Sequence, residues 1–125
     1  MPTIFTMDYD ADIVFVLSQW LELNGFKAKG FLTPDQLLAH FEVNMPDCII
    51  IDTLYGGLQI TMEMCNLIQH RFDYKGKILL STTGKISEKE RQACDAIDFI
   101  HKPFDLWDVL KVVNNVFDGS FANNA

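Results

Sequence analysis

The chain has 125 residues, of which 49% are hydrophobic, so a single domain can bury roughly two thirds of its unfolded surface without covalent staples. Its formal net charge of -7 excludes a direct nucleic-acid surface, because such surfaces rest on Lys and Arg neutralising phosphates. No run approaches the roughly 18 apolar residues of a membrane span, and no basic-then-apolar leader opens the chain. Cys48, Cys65 and Cys94 match neither a paired disulfide framework nor a C-x-x-C motif, and are expected to be small buried hydrophobes of a cytoplasmic protein.

Short apolar runs at 3–7, 27–31, 48–51, 77–80 and 99–100 read as strands and alternate with segments of helical period. The first helix places Ile13, Val16, Leu17, Trp20 and Leu21 on one face, with Asp10 as its cap and Gly25 closing it. The second opens on Thr33-Pro34-Asp35-Gln36, a capping box with Pro at the first helical position, and Pro46 keeps it from running on. A third, over 61–72, buries Met64, Cys65 and Ile68, with its methionines as core filler. The fourth starts from a box at Ser87 and Glu90 but offers little apolar surface, so it is expected to be the most weakly held helix. The last runs from an Asp105 cap through Leu106, Val109, Leu110, Val113 and Phe117 to about Gly119, leaving 120–125 as a frayed tail after one domain, 1–119.

Strands alternating with helices imply a doubly wound α/β architecture, a five-stranded parallel sheet with right-handed crossovers and helices on both faces. Ligands of such sheets bind beyond the carboxyl ends of the strands, where the strand order reverses. The first and third strands are the expected neighbours there. Their ends carry Asp8 and Asp52, and the adjoining strand ends carry Ser81 and Lys102. A carboxylate can act as nucleophile toward a phosphoryl group, while a second carboxylate, an ammonium and a hydroxyl supply the positioning and charge stabilisation that such transfer needs. Taken singly, each residue has a plainer role: an Asp after a strand caps a helix or turn, and Ser81-Thr82-Thr83-Gly84 is ordinary loop chemistry. Joined in one order at separations of 44, 29 and 21 positions, the four are more specific.

Over about residues 3 to 117 the chain resembles the receiver domain of bacterial two-component response regulators. The resemblance rests on Ile4-Phe-Thr-Met-Asp8-Tyr-Asp-Ala-Asp-Ile13, Pro46-Asp-Cys-Ile-Ile-Ile-Asp52, Ile78-Leu-Leu-Ser81-Thr82 and Asp98-Phe99-Ile-His-Lys102-Pro103-Phe104. It implies a flavodoxin-like (βα)5 fold with strand order 2-1-3-4-5. It further implies Asp52 as phosphoacceptor from a histidine kinase or phosphotransfer protein, with Ser81 and Lys102 gripping the phosphoryl group. Magnesium would be held by Asp8, Asp52 and the backbone carbonyl of Leu54. The resemblance also implies that Ser81 and Phe99 are a switch pair that reshapes the surface of the fourth helix, fifth strand and fifth helix for a downstream protein or a second copy. The Lys-Pro bond is cis in the family, which Lys102-Pro103 permits.

Several residues depart from the family's pattern. Tyr9 stands where a second acid ordinarily binds the metal, and a phenol, neutral near pH 7, is a poor substitute. Asp10 is the acid that can swing in, unless the helix cap engages it. The segment Thr53-Leu-Tyr-Gly56-Gly57 lacks the usual proline and fits with about one inserted residue, Thr82 is expected to narrow access to the phosphoryl site, and His101 reads as a surface or switch-face residue rather than a metal ligand. These departures define the alternative reading, a phosphorylation-independent binding module. A further alternative, a haloacid-dehalogenase-like phosphatase with Asp8-Tyr9-Asp10 as its motif, lacks room for a cap domain. Beyond autocatalytic phosphorylation and dephosphorylation no classical enzyme activity is expected.

Overall fold

A computed structural model describes residues 1–53, 57–83, 87–89 and 97–118. Its strands are β1 (Thr3–Met7), β2 (Lys27–Phe31), β3 (Cys48–Asp52), β4 (Lys77–Thr82) and β5 (Ile97–His101). Its helices are α1 (Ala11–Leu23), α2 (Pro34–Phe41), α3 (Gly57–Arg71) and α4 (Leu106–Asp118). The strands form one parallel sheet in the order β2-β1-β3-β4-β5, the expected architecture. The weakly apolar helix expected to start at Ser87 lies, beyond 87–89, outside the described residues, as do Leu54, Cys94 and the 120–125 tail.

Period-two alternation sorts the strand residues into two cores. Phe5, Met7, Ile49, Ile51, Ile78 and Leu80 pack with α2 and α3 residues such as Leu37, Phe41, Cys65 and Ile68. Ile4, Cys48, Ile50, Leu79 and Ile100 pack on the other face with Leu17 and Leu21 of α1 and Val109 and Val113 of α4. All five residues of β3 are buried, and each of its three isoleucines stabilises the fold by about 1.5–3 kcal/mol over an exposed side chain. Cys48 and Cys65 are buried and not joined in a disulfide, and burial pushes the Cys48 thiol up to about 12, so it stays protonated and inert.

The helix ends form as the sequence signals them. The Asp10 carboxylate accepts from the Asp12 N–H at 2.9 Å and caps α1. At its other end Gly25 adopts φ 93°, its N–H reaching Glu22 O and the Phe26 N–H reaching Leu21 O, the paired bonds of a Schellman closure. Thr33 Oγ1 accepts from the Gln36 N–H at 3.3 Å, while Gln36 Oε1 reaches one residue further back than a standard box, to the Leu32 N–H at 3.2 Å.

Two elements sit differently from expectation. In α1 the buried residues are Val14, Leu17 and Leu21, whereas Val16 is 45% exposed. Gly30 of β2 explains this: a Cβ there would collide with Val14 Cγ1, so the bare backbone admits Val14 and turns the buried face toward β2. Gly30→Ala is therefore expected to destabilise by about 1–3 kcal/mol through overpacking, with part of the loss recovered by Val14→Ala. Paired urea melts check this; equal midpoints for Gly30→Ala and the parent would show that the contact relaxes without strain. Helix α3 begins at Gly57 rather than near Thr61, whose hydroxyl instead donates back to Gly57 O at 2.8 Å within the first turn.

Candidate functional site

The parallel register brings the strand ends to one rim. Met7 pairs with Ile51, Asp52 with Ser81, and Ser81 with Ile100, so Asp8 follows the end of β1 beside Asp52, and Lys102 follows β5 beyond Ser81. The loop backbones are fixed in turn. The Asp8 N–H donates to Phe31 O at 3.2 Å, the Thr53 N–H to Ser81 O at 2.9 Å and the Lys102 N–H to Thr82 O at 2.7 Å. Lys102-Pro103 is cis.

These backbones aim three charges at one another. Lys102 Nζ lies 3.2 Å from Asp8 Oδ2 and 3.2 Å from Asp52 Oδ1, with side-chain exposures of 13% for Lys102, 7% for Asp8 and 2% for Asp52. Two buried carboxylates thus share one ammonium. Such a pair is held together because either carboxylate alone, deprived of water, would be costly. Burial raises the Asp8 carboxyl above the usual carboxylate range, the Asp52 charge adds to this, and the Asp10 N–H at 2.9 Å and Lys102 oppose it.

The other predicted residues divide by place. Ser81 and Thr82 are buried at the end of β4. Phe99 stands opposite Leu80 in the register and packs on the α2–α3 core, whereas Ser81 stands opposite Ile100 on the other face. Tyr9 is half-exposed at the rim, and Asp10 is exposed with Oδ1 engaged at the α1 cap. His101 is exposed. Apart from these residues, in the first turn of α4, Trp107 is 69% exposed while its ring meets Trp20 edge-on at 5.0 Å, and the Trp20 indole N–H donates to Leu106 O at 2.8 Å.

One residue escapes the sequence reading. Thr53, buried directly after Asp52, donates its hydroxyl to Ser81 O at 2.9 Å, alongside its own N–H. A hydroxyl-bearing, β-branched residue immediately after a strand-end acid was the available signal.

No family model matches the chain. The heme response regulator HssR of Staphylococcus saprophyticus is 24% identical over 111 residues, 88% of this chain and 49% of that protein, so the chain spans about half the length of this curated relative. Among solved structures, the chemotaxis protein CheY4 of Vibrio cholerae superposes with a TM-score of 0.80 at 25% identity, covering 93% of this chain and 98% of that one. A response regulator structure from Chloroflexus aurantiacus gives a TM-score of 0.73 at 26% identity, covering 92% and 96% respectively. The chain thus shares the flavodoxin-like α/β fold of these proteins over more than nine tenths of its length, and it is similar to the receiver domains of response regulators.

Proposed function

We propose that the chain is a phosphorylation-dependent switch of two-component signalling, with Asp52 as phosphoacceptor. The observation that carries this reading is the buried Asp8–Lys102–Asp52 cluster at the carboxyl rim, which sets a nucleophilic carboxylate beside an ammonium and a second acid. An Asp52 oxygen attacks the phosphorus of a phosphohistidine on a histidine kinase or phosphotransfer protein. The new O–P bond forms as the N–P bond breaks, and the electron pair leaves on the imidazole, giving an acyl phosphate. Lys102 moves its charge from the carboxylates to a phosphoryl oxygen, and the Ser81 hydroxyl hydrogen-bonds another.

The donor set fits a magnesium ion: two carboxylates already converge on a single cation position, the one held by the Lys102 ammonium. Asp8, Asp52 and the Leu54 carbonyl would hold it, and bound there it supplies positive charge to the phosphoryl oxygens. Among the described residues no three His, Cys, Asp or Glu side chains come together, so a metal held here keeps water in its shell. The output passes to a downstream protein or a second copy through the surface that includes β5 and α4.

The test is intact mass after incubation with magnesium and acetyl phosphate. A gain of about 80 Da in the parent and none in Asp52→Asn supports the reading. No gain with acetyl phosphate or with a phosphorylated kinase overturns it in favour of a binding module that works without phosphate, the reading favoured by Tyr9 at the position of the second acid.

A further inference from the structure

Ser81 and Phe99 lie on opposite faces of the sheet, because Ser81 pairs with Ile100 and Phe99 with Leu80. The backbone at the end of β4 joins Ser81 to Leu80, the residue paired with Phe99. That backbone is held on both sides. The Ser81 carbonyl accepts two bonds from Thr53, one from its N–H and one from its hydroxyl, both at 2.9 Å, and the next carbonyl, of Thr82, accepts from the Lys102 N–H at 2.7 Å.

We infer that Thr53 is a positioning residue for phosphoryl transfer: its hydroxyl pins the Ser81 peptide so that the Ser81 side chain meets the phosphoryl group formed on the preceding residue, Asp52. This rests on the reading of Asp52 as phosphoacceptor. The sequence places acceptor and clamp side by side, and the register sets Asp52 against Ser81 itself, so the dipeptide at the carboxyl end of β3 controls both the nucleophile and the group that steadies its product. The N–H bond is available to any residue but proline at this position. The hydroxyl bond needs Thr or Ser, and Thr53 is 4% exposed, so water does not compete for it.

In the transfer from acetyl phosphate the Asp52 oxygen bonds to phosphorus as the P–O bond to acetate breaks, and acetate leaves with the electron pair. Thr53 exchanges no proton in this step and acts only through Ser81. Thr53→Val keeps the branched shape and removes the hydroxyl. The initial rate of the 80 Da gain is expected to fall roughly three- to tenfold, the range of one neutral hydrogen bond, and Thr53→Ser is expected to restore it. In a Ser81→Ala background Thr53→Val should add little, since a residue that works through Ser81 has nothing left to position.

A Thr53→Val rate equal to the parent's overturns the inference. So does an undiminished loss in the Ser81→Ala background, which would make Thr53 an independent packing residue. A parent that gains no mass defeats the phosphoacceptor reading itself, and is distinguished from the other failures because those require the parent to be phosphorylated. Thermal melts of each variant separate a loss of fold from a loss of rate.

Discussion

Lys102→Met is expected to lower stability by about 3–5 kcal/mol at neutral pH, the cost of leaving buried carboxylates without their counter-charge. Methionine retains the length and apolar stem of the side chain, so the loss isolates the ammonium that lies 3.2 Å from both Asp8 and Asp52. Its pH dependence has a definite sign. Asp8 binds its proton more tightly in the folded chain than at its ordinary value of 3.8, so its contribution to stability is most favourable below that value and declines as pH rises through the raised one. Lys102 is among the groups pulling Asp8 down, so its removal steepens that decline and carries it to higher pH. Urea denaturation of both proteins at several pH values, with and without magnesium, measures the difference. Magnesium should rescue the variant more than the parent, because in the parent the ammonium already holds the cation position. A loss under about 1 kcal/mol, unaffected by pH and magnesium, would mean that the two acids find compensation elsewhere.

Tyr9→Asp is expected to tighten magnesium binding by at least about tenfold. One further unit charge about 4 Å from a divalent ion contributes roughly 2 kcal/mol even at the dielectric constant of water, and more beside a rim that is partly buried. Tyr9 is 51% exposed, so the substitution removes little packing and its effect can be read as electrostatic. Asp10 does not fill the role as it stands: its Oδ1 caps α1 through the Asp12 N–H, and freeing it would sacrifice a helix cap of about 1 kcal/mol. Titration of magnesium followed by tryptophan fluorescence or calorimetry measures the affinity, and identical values for the two proteins would sink the view that Tyr9 leaves the metal-binding half one carboxylate short. The same variant should raise the rate of acetyl phosphate transfer at low magnesium and approach the parent as magnesium saturates both.

What was legible in the sequence was the part governed by local rules. Apolar runs became strands because each is short and bounded by turn residues, and Asp10, Thr33 and Gly25 terminate helices through their own hydrogen-bonding and backbone preferences. The convergence of Asp8 and Asp52 followed from a topological rule for parallel sheets rather than from any neighbouring residue. What escaped depended on partners distant in the chain. Val14 rather than Val16 is buried because β2 has no side chain at Gly30, a fact that no period within α1 encodes. The link from Thr53 to Ser81 spans 28 positions and exists only once β3 and β4 are in register. Lys102 as a shared counter-ion likewise needs three strand ends at once; the sequence supplied the residue types, and the sheet supplied their distances.

The central pairing of β1 with β3 has a consequence for how the site comes into being. Residues joined there, such as Ile4 with Cys48, are 44 positions apart, with α1, β2 and α2 between them. The first βαβ unit can assemble from nearer contacts, but it contains only Asp8. Docking of β3 closes the longer loop and introduces Asp52, and β5 must then arrive before Lys102 can offset the two negative charges. Any folding route that pairs β1 with β3 before β5 docks gathers the two acids while their cation is still absent. On such a route the charges that hold one another in the finished domain are an obstacle on the way to it, and the ions in the surrounding solution help to set the height of that obstacle.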